Sequence, residues 1–301
     1  MLVYARRAMR IPSRASLART VPAPVIAALC MLAMALCYAT TANLARIMGD
    51  ELNALMITFL RNGFGLLLLA PLLLRSGTRA LRTTRPGLHL VRSACNLGSM
   101  LAWFWALPHI VLADGVALMF TGPLFAALGA VLLFGERLGR RRALALAVGF
   151  AGVLVIIRPD FSTASLALLV ILLSAAGWGA MGLCNKRLTA TDTTEQIVVI
   201  NLLMVLPASV LLALFDWQWP SSTMLAIAAL HGSLGTLAHI FLARALALAD
   251  TSFCMPFDFT RLPFAAAIAY PLFGQLPDLW TVLGALVIFV AAFAIATRER
   301  A

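Results

Sequence analysis

Ionisable side chains inside long apolar segments are the residues of this 301-residue chain best suited to chemistry. Arg61 lies within the apolar segment 52–74, and Asp258 and Arg261 lie three residues apart within the segment 253–273. A charged side chain at the centre of a spanning helix costs at least ~2.5–3.5 kcal/mol, so its presence needs an explanation. Guanidinium groups bind carboxylates and phosphates, and a carboxylate can take up a proton or bind an amine. We therefore predict that Arg61 and Arg261 contact a substrate and that Asp258 carries a proton.

Each of these charges also has a purely structural interpretation. Arg61 can instead bond to backbone carbonyls and to the neighbouring Asn62. Asp258 and Arg261 can neutralise each other, because residues three apart lie on the same side of a helix. The sequence alone leaves both interpretations open.

Polar residues also follow one face of two further apolar segments. Arg92, Asn96 and Ser99 recur at helical spacing with Trp103 one turn further on, so this stripe should face the interior of a helix bundle. Arg92, Asn96 and Trp103 are then candidate contacts for a polar solute, or contacts between helices. His231 and His239 lie eight residues apart and therefore on roughly one face of the segment 225–242. His239, the deeper of the two, is a candidate proton relay because histidine titrates near neutral pH, or a hydrogen-bond partner for a neighbouring helix.

Composition indicates where these side chains must be held. Hydrophobic residues make up 62% of the chain and charged residues 12%, against about 45–50% and about 25% in soluble domains. A spanning helix needs roughly 20 apolar residues. Ten segments fit, and they predict an all-α polytopic integral membrane protein: 25–44, 52–74, 88–107, 111–134, 143–157, 165–183, 197–215, 225–242, 253–273 and 279–297.

The distribution of the basic residues behind the net charge of +11 also indicates a membrane protein. Most of the lysines and arginines fall in a basic tail at 1–21, in alternate connectors and in the segment 298–301. This asymmetry predicts cytoplasmic termini in an inner (plasma) membrane and argues against binding to nucleic acid. The basic start could also be a signal peptide, but its apolar run continues too far without a cleavage site. The five cysteines form no CxxC pair, so no disulfide framework or metal site is predicted.

The two halves of the chain read as diverged copies of each other. The stretch from Tyr38 to Arg46 returns as Trp178 to Lys186, and Phe-Gly-Glu at 134–136 returns as Phe-Gly-Gln at 273–275. The copies are predicted at 22–160 and 161–297. Five spans in each copy would place the second copy upside down in the membrane, and inverted repeats are typical of secondary transporters.

Prolines interrupt corresponding spans of the two copies. Pro123 lies in the fourth span, and Pro256 and Pro263 lie in the ninth. A proline inside a helix removes one backbone hydrogen bond and kinks the helix. Paired interruptions of this kind are a pointer to the substrate site, so we predict that these three residues are hinges.

Together these motifs resemble the EamA-type branch of the drug/metabolite transporter superfamily. The resemblance rests on the aromatic-Gly/Ala step that begins at Tyr38 and again at Trp178, on Arg61, on Thr-Gly-Pro at 121–123 and on Phe-Gly-Glu at 134–136. The second copy departs from the pattern, because Gln275 replaces the glutamate and charged residues lie where the first copy is uncharged. The resemblance implies ten helices and the transport of a small metabolite, often its export. It adds the aromatic Trp178 to the candidate substrate contacts.

We therefore predict a secondary active transporter that works by alternating access, uses protons for coupling and needs no cofactor. The leading cargo is an exported amino acid or amino-acid derivative, including an opine-type metal chelator. The alternative is uptake of a vitamin or nucleotide-like metabolite, such as riboflavin or S-adenosylmethionine. A membrane acyltransferase that uses His109 and Asp114 is a further alternative, although no known enzyme motif occurs. One chain contains both copies, so a homodimer is compatible with the pathway but not required to form it.

Overall fold

The computed structural model describes residues 22–76, 83–134, 140–157, 163–249 and 251–296. The predicted tails at 1–21 and 298–301 lie outside these ranges. All regular structure in the described ranges is helical, and two short 3₁₀ turns follow α3 and α8. The helices are α1 (Ala23–Met48), α2 (Ala54–Ser76), α3 (Pro86–Ala106), α4 (Leu112–Met119), α5 (Gly122–Phe134), α6 (Arg140–Ile157), α7 (Thr163–Leu188), α8 (Thr194–Ala213), α9 (Ser222–Leu248), α10 (Thr251–Asp258), α11 (Arg261–Phe273) and α12 (Leu279–Ala296).

Local sequence explains several of the helix ends. Thr193 and Gln196 form a capping box at the start of α8, because each side chain accepts a hydrogen bond from the other residue's backbone N–H. The Ser221 hydroxyl accepts from the Met224 N–H and caps α9. Gly274 ends α11 at φ 65°, a left-handed conformation that suits glycine.

Six helical stretches are long and apolar enough to cross a membrane: 23–48, 54–71, 112–133, 166–188, 196–216 and 222–248. Shorter apolar helices cover 143–157, 261–273 and 279–294. Helix α3 belongs to neither group. Its polar stripe makes its mean hydropathy lower than that of the spanning stretches. The finding supports a polytopic membrane protein, whereas the count of ten spans stays a prediction.

The distribution of polarity also suits a membrane. Large apolar side chains cover much of the outer surface, among them Leu67, Leu132, Leu133, Leu154, Leu173 and Val290, each more than 60% exposed. Contiguous apolar surface of this kind is rare on soluble monomers and marks contact with lipid or a partner. Several polar side chains are buried instead, including Thr58, Asn62, Ser174 and Thr281. The interior of the bundle is therefore the place where polar chemistry is concentrated.

The helices pack in a small set of pairs. Helix α1 packs on α9 and α3 packs on α7, while α6 packs on α12 and α2 on α8. Glycines lie where α6 and α12 cross closely, because a larger side chain there would clash with the backbone of the other helix. A Cβ at Gly152 would lie 3.0 Å from the Gly284 carbonyl oxygen, and a Cβ at Gly284 would lie 2.8 Å from that of Gly152.

Two of the predicted spans are each divided into two helices. The first break lies at 120–121, between α4 and α5, and the second lies at 259–260, between α10 and α11. Phe120 and Phe259, one from each break, stack with ring centroids 4.1 Å apart and an interplanar angle of 18°. Thr121 and Thr260 donate their hydroxyls to carbonyls three residues earlier, at 2.6 and 2.7 Å. The two interruptions therefore meet inside the bundle.

The prolines relate to these breaks in two different ways. Pro123 and Pro263 lie in the first turn of α5 and α11, where a missing N–H costs little. Pro256 lies within α10, which ends two residues later at Asp258, immediately before the Phe259-Thr260 break. Its role as an interruption and a hinge stays a prediction.

The connectors segregate to two ends of the bundle. At one end, the Asn53 N–H donates to Gln218 Oε1 and Asn53 Nδ2 donates to Asp216 Oδ2, each at 2.7 Å. At the other end, the Arg85 guanidinium donates to the Arg187 carbonyl at 3.3 Å. We call these the acidic end and the basic end, after the side chains that the described connectors carry.

Candidate substrate site

A cavity of about 680 Å³ lies in the middle of the bundle, and we call it the central cavity. Helices α1, α2, α3, α4, α7, α9 and α11 contribute to its lining. Its aromatic and cationic lining consists of Tyr38, Trp103, Phe104, Trp178, Arg61 and Arg261.

An aromatic cluster from three helices lies at one side of this cavity, and its members Tyr38 and Trp178 form part of the cavity wall. Tyr38 of α1 meets Trp178 of α7 edge to face at 6.4 Å, and Trp178 stacks with His239 of α9 at 6.3 Å. The Tyr38 hydroxyl lies 3.3 Å from His239 Nδ1, which is hydrogen-bond distance. Tyr38 and Trp178 are the residues that begin the matching stretches of the two sequence copies. The repeat has therefore placed its two aromatic positions side by side.

Arg261 is held where the second helix break meets the cavity. Its guanidinium bonds to the Asp258 carboxylate, so an ion pair joins the last residue of α10 to the first residue of α11. The same guanidinium lies over the Tyr38 ring at 5.0 Å and over the Phe120 ring at 5.5 Å. Cations at these distances are attracted to aromatic faces. Arg261 thus connects the break to the aromatic wall.

Asp258 itself lies outside the lining of the central cavity. It lines a neighbouring space of about 820 Å³, which we call the Asp258 cavity. Tyr38, Met119, Trp178 and Arg261 line both spaces and separate them. Pro123 also lines the Asp258 cavity, whereas Pro263 lines none of these spaces and is exposed. Pro123 and Pro263, two of the three predicted hinges, therefore occupy different surroundings, and the role of all three as hinges stays a prediction.

Arg61 reaches the centre of the bundle from α2. Its Nη1 contacts the Met100 sulfur at 3.6 Å, and its Nη2 would lie 3.2 Å from a Cβ at Gly235. Asn62 donates to the Thr58 carbonyl of its own helix at 2.7 Å. The Asn62 amide therefore bonds within its own helix rather than to Arg61, and a structural role for Arg61 stays an open alternative. No carboxylate pairs with Arg61 among the residues that the structure describes.

The polar stripe of α3 is buried, as its spacing predicts. Arg92 and Ser99 are each 5% exposed and Asn96 is 8% exposed. Ser99 and Ser174 exchange hydrogen bonds to each other's carbonyls at 2.7 Å, which ties α3 to α7. Trp103 lines the central cavity, but Arg92 and Asn96 do not.

Arg92 and Asn96 line a third space of about 440 Å³, which we call the basic cavity. Arg61 and His239 also line it. Arg61 lines both the central and the basic cavity, so its side chain lies between them. The predicted contacts therefore divide into an aromatic group and a basic group that share one arginine.

Several lining residues were not predicted from the sequence as substrate contacts. Tyr38 was predicted only as the first residue of a repeated stretch. Its correspondence to Trp178 could have identified it as a candidate substrate contact. His231 lines the central cavity with its ring 5.5 Å from Phe104, and its Nδ1 is buried without a described partner. Asn201 is a polar residue within an apolar span and lines the basic cavity, so its type alone was a usable signal.

His109 and Asp114 lie apart from these spaces. Both line a cavity of about 580 Å³ near the acidic end. The His109 ring stacks on Trp105 at 5.1 Å, and Asp114 accepts a hydrogen bond from the Thr281 hydroxyl. This pair is therefore separate from the central cavity and the basic cavity.

An all-helical bundle that encloses aromatic and cationic cavities beneath an apolar surface has the form of a membrane transporter. The chain belongs to the EamA-like transporter family, whose model matches residues 25–158 and again 165–297. The family members described below are transporters rather than enzymes, and the acyltransferase alternative is therefore rejected.

Three curated relatives cover most of the chain. A riboflavin transporter of Vibrio cholerae is 34% identical over 89% of this chain and 92% of its own length. An S-adenosylmethionine uptake transporter of Rickettsia prowazekii is 26% identical over 85% of this chain and 87% of its own. The pseudopaline exporter CntI of Pseudomonas aeruginosa is 29% identical over 83% and 88%. These relatives agree on transport and differ in cargo.

Proposed function

We propose that this protein is a secondary active transporter that takes up a polar metabolite with an aromatic heterocycle, of the riboflavin kind. The observation that carries the proposal is the central cavity, in which Tyr38, Trp103, Phe104 and Trp178 surround a space of about 680 Å³. Stacking on aromatic side chains is a general way to bind planar heterocycles, worth about 1–3 kcal/mol per ring in nucleic-acid binding proteins. The riboflavin transporter of Vibrio cholerae, at 34% identity, supports the same class of cargo.

We also propose ten spans arranged as two inverted repeats, at 22–160 and 161–297. In this arrangement α1, α2 and α3 correspond to α7, α8 and α9. Exchanging the repeats converts the α1–α9 pair into α7–α3 and the α2–α9 pair into α8–α3, and all four pairs occur. The pairs α2–α8 and α6–α12 would each map onto themselves. In addition, α1 ends at the acidic end and its counterpart α7 ends at the basic end. This exchange of packing partners supports alternating access between two related halves.

The membrane orientation follows from the same division of ends. Arginine and lysine side chains in the described connectors favour the basic end, and such ends face the cytoplasm. We therefore propose an inner-membrane protein with both termini in the cytoplasm. Under this orientation the basic cavity lies on the cytoplasmic side of the central cavity.

The energy for transport is proposed to come from protons. Asp258 is the candidate carrier because it closes the second helix break through Arg261. Protonation of this carboxylate would release Arg261, which also contacts the aromatic wall. His239 is the second candidate because it bonds to Tyr38 in the same wall. Either site couples proton binding to the position of residues that line the pathway.

Export of an amino-acid derivative is the second candidate function. The pseudopaline exporter CntI, at 29% identity, favours it. The arginines that line the central cavity suit carboxylates, which such compounds carry. Direction and cargo therefore have to be measured in one assay.

The test uses a riboflavin-auxotrophic bacterial strain without its own riboflavin transporter. We expect cells that make the protein to accumulate radiolabelled riboflavin, and we expect uncouplers that collapse the proton gradient to stop accumulation. Trp178→Ala should reduce the initial rate at low riboflavin about tenfold, since one stacking partner is lost. The matched control is Trp219→Ala, because Trp219 is 85% exposed near the acidic end.

Two results would contradict the proposal. Uptake no higher than in empty-vector cells, with the protein present in the membrane, would reject riboflavin as cargo. Loss of a preloaded amino-acid derivative from cells that make the protein would favour the export candidate instead. Mass spectrometry of cells and medium from deletion and overexpressing strains would then identify the exported compound.

A further inference from the structure

The basic cavity differs chemically from the central cavity that it adjoins. We propose that it is an anion-binding chamber, which takes a carboxylate or a phosphate group. The chamber lies between α2, α3, α7, α8 and α9, and its polar lining is Arg61, Arg92, Asn96, Asn201, Thr236 and His239. No carboxylate is among the described residues that line it.

The first argument is uncompensated positive charge. Arg92 is 5% exposed, and its Nη1 is buried without a hydrogen-bond partner in the described part of the chain. Its Nε donates to Asn185 Oδ1 at 2.5 Å, which is a neutral acceptor. Arg61 has no described ion pair either, whereas Arg261 is neutralised by Asp258. Two guanidinium groups therefore face one buried space without an anion, and buried charges are normally paired.

The second argument is the supply of neutral donors around these cations. Asn96 Nδ2 lies 3.4 Å from Asn201 Oδ1, so its hydrogen bond is long and easily exchanged. The Thr236 hydroxyl and the His239 ring complete the lining. Guanidinium groups together with amide and hydroxyl donors match the oxygens of a carboxylate or phosphate. The lining therefore offers hydrogen-bond donors to an anion, and the described residues include no carboxylate there that would favour a cation.

The position of Arg61 links this chamber to the proposed cargo. Arg61 lines both spaces, so a ligand could place an aromatic ring in the central cavity and an anionic group beside Arg61 and Arg92. This step rests on the proposed function of the central cavity. It identifies the preferred substrate class as an aromatic heterocycle that carries a phosphate ester or a carboxylate. A separate small anion that binds beside a neutral substrate would use the same chemistry.

The experiment measures thermal unfolding of the purified full-length protein in detergent. Potassium chloride is adjusted to keep the ionic strength constant at every ligand concentration. The probes are inorganic phosphate, riboflavin and riboflavin 5′-phosphate. A ligand that binds only the folded state raises Tm with its concentration, which gives a Kd. We expect riboflavin 5′-phosphate to bind at least tenfold more tightly than riboflavin.

Variants separate binding in the chamber from general effects. Arg92→Gln should weaken the binding of riboflavin 5′-phosphate at least tenfold and by a larger factor than the binding of riboflavin. Arg92→Lys should retain most of the affinity for the phosphate ester. Arg61→Gln provides a second test if Arg92→Gln fails to fold, since it removes the shared cation. The control is Arg244→Gln, because Arg244 lies exposed on α9 and lines none of the cavities described.

Each outcome decides a different point. Riboflavin binding without any preference for the phosphate ester, and no effect of inorganic phosphate, would overturn the anion chamber and leave the proposed function intact. Binding of inorganic phosphate that is lost in Arg92→Gln, without any riboflavin binding, would support the chamber and reject the proposed cargo. Inorganic phosphate that binds as tightly as the ester would support a separate small anion. Equal losses in Arg244→Gln and Arg92→Gln would also overturn the chamber.

Discussion

The ion pair across the second helix break offers the sharpest test of the structure. Asp258→Asn removes the negative charge and keeps the side-chain shape, and Arg261→Gln removes the positive charge. Each single variant leaves one charge without its partner inside the bundle. The double variant leaves none. The four proteins therefore form a double-mutant cycle that isolates the interaction between the two side chains.

The exposure of the pair sets the expected magnitude. The Arg261 and Asp258 side chains are 17% and 22% exposed, which lies between a buried and a surface pair. Breaking a fully buried pair costs about 3–5 kcal/mol, and an exposed pair contributes about 0–1 kcal/mol. We therefore expect each single variant to lose about 2 kcal/mol of unfolding free energy. The double variant should lose about 1 kcal/mol or less, because no unpaired charge remains.

The assay is reversible unfolding in mixed micelles, followed by tryptophan fluorescence, with uptake measured in parallel in cells. We expect the double variant to regain stability but not transport, because Asp258 is proposed to carry the coupling proton. Asp258→Asn alone should also lose transport while it remains inserted in the membrane. A coupling free energy below about 0.5 kcal/mol would refute the energetic reasoning. Wild-type uptake by Asp258→Asn would remove Asp258 from the mechanism.

Three further predictions concern packing, the aromatic wall and the acidic end. Gly179→Ala should lower stability by about 1–3 kcal/mol, because its Cβ would lie 2.6 Å from a backbone oxygen of α5. Gly182→Ala, where nothing lies within 4 Å, should not lower the Tm, because alanine favours a helix more than glycine does. Tyr38→Phe should weaken the affinity for riboflavin about three- to tenfold in a Tm titration, because the hydrogen bond to His239 is lost. An unchanged affinity would exclude the Tyr38 hydroxyl from a role in binding. His109→Ala should leave uptake unchanged, and loss of uptake in a folded variant would contradict its placement outside the pathway.

Several features of this protein could be read from the sequence because they depend on composition and period. The length of an apolar run decides whether a helix can cross a membrane, so the helical segments followed from the chain alone. The spacing of Arg92, Asn96 and Ser99 predicted a buried stripe because helical geometry fixes which residues share a face. The family also followed from ordered motifs, and the family model confirms it.

Only the tertiary structure decided which of these residues share a space. Arg92 and Trp103 lie on one polar stripe of α3, yet the packing of α7 and α8 against this helix gives them different cavities. Helix spacing cannot supply this division, because it depends on which neighbour covers each turn. The same limit applies to the Tyr38–His239 contact, which joins residues far apart in the chain through the packing of α1 on α9. Sequence thus determined the elements and their polar faces, while the contacts between helices decided which polar faces form a site.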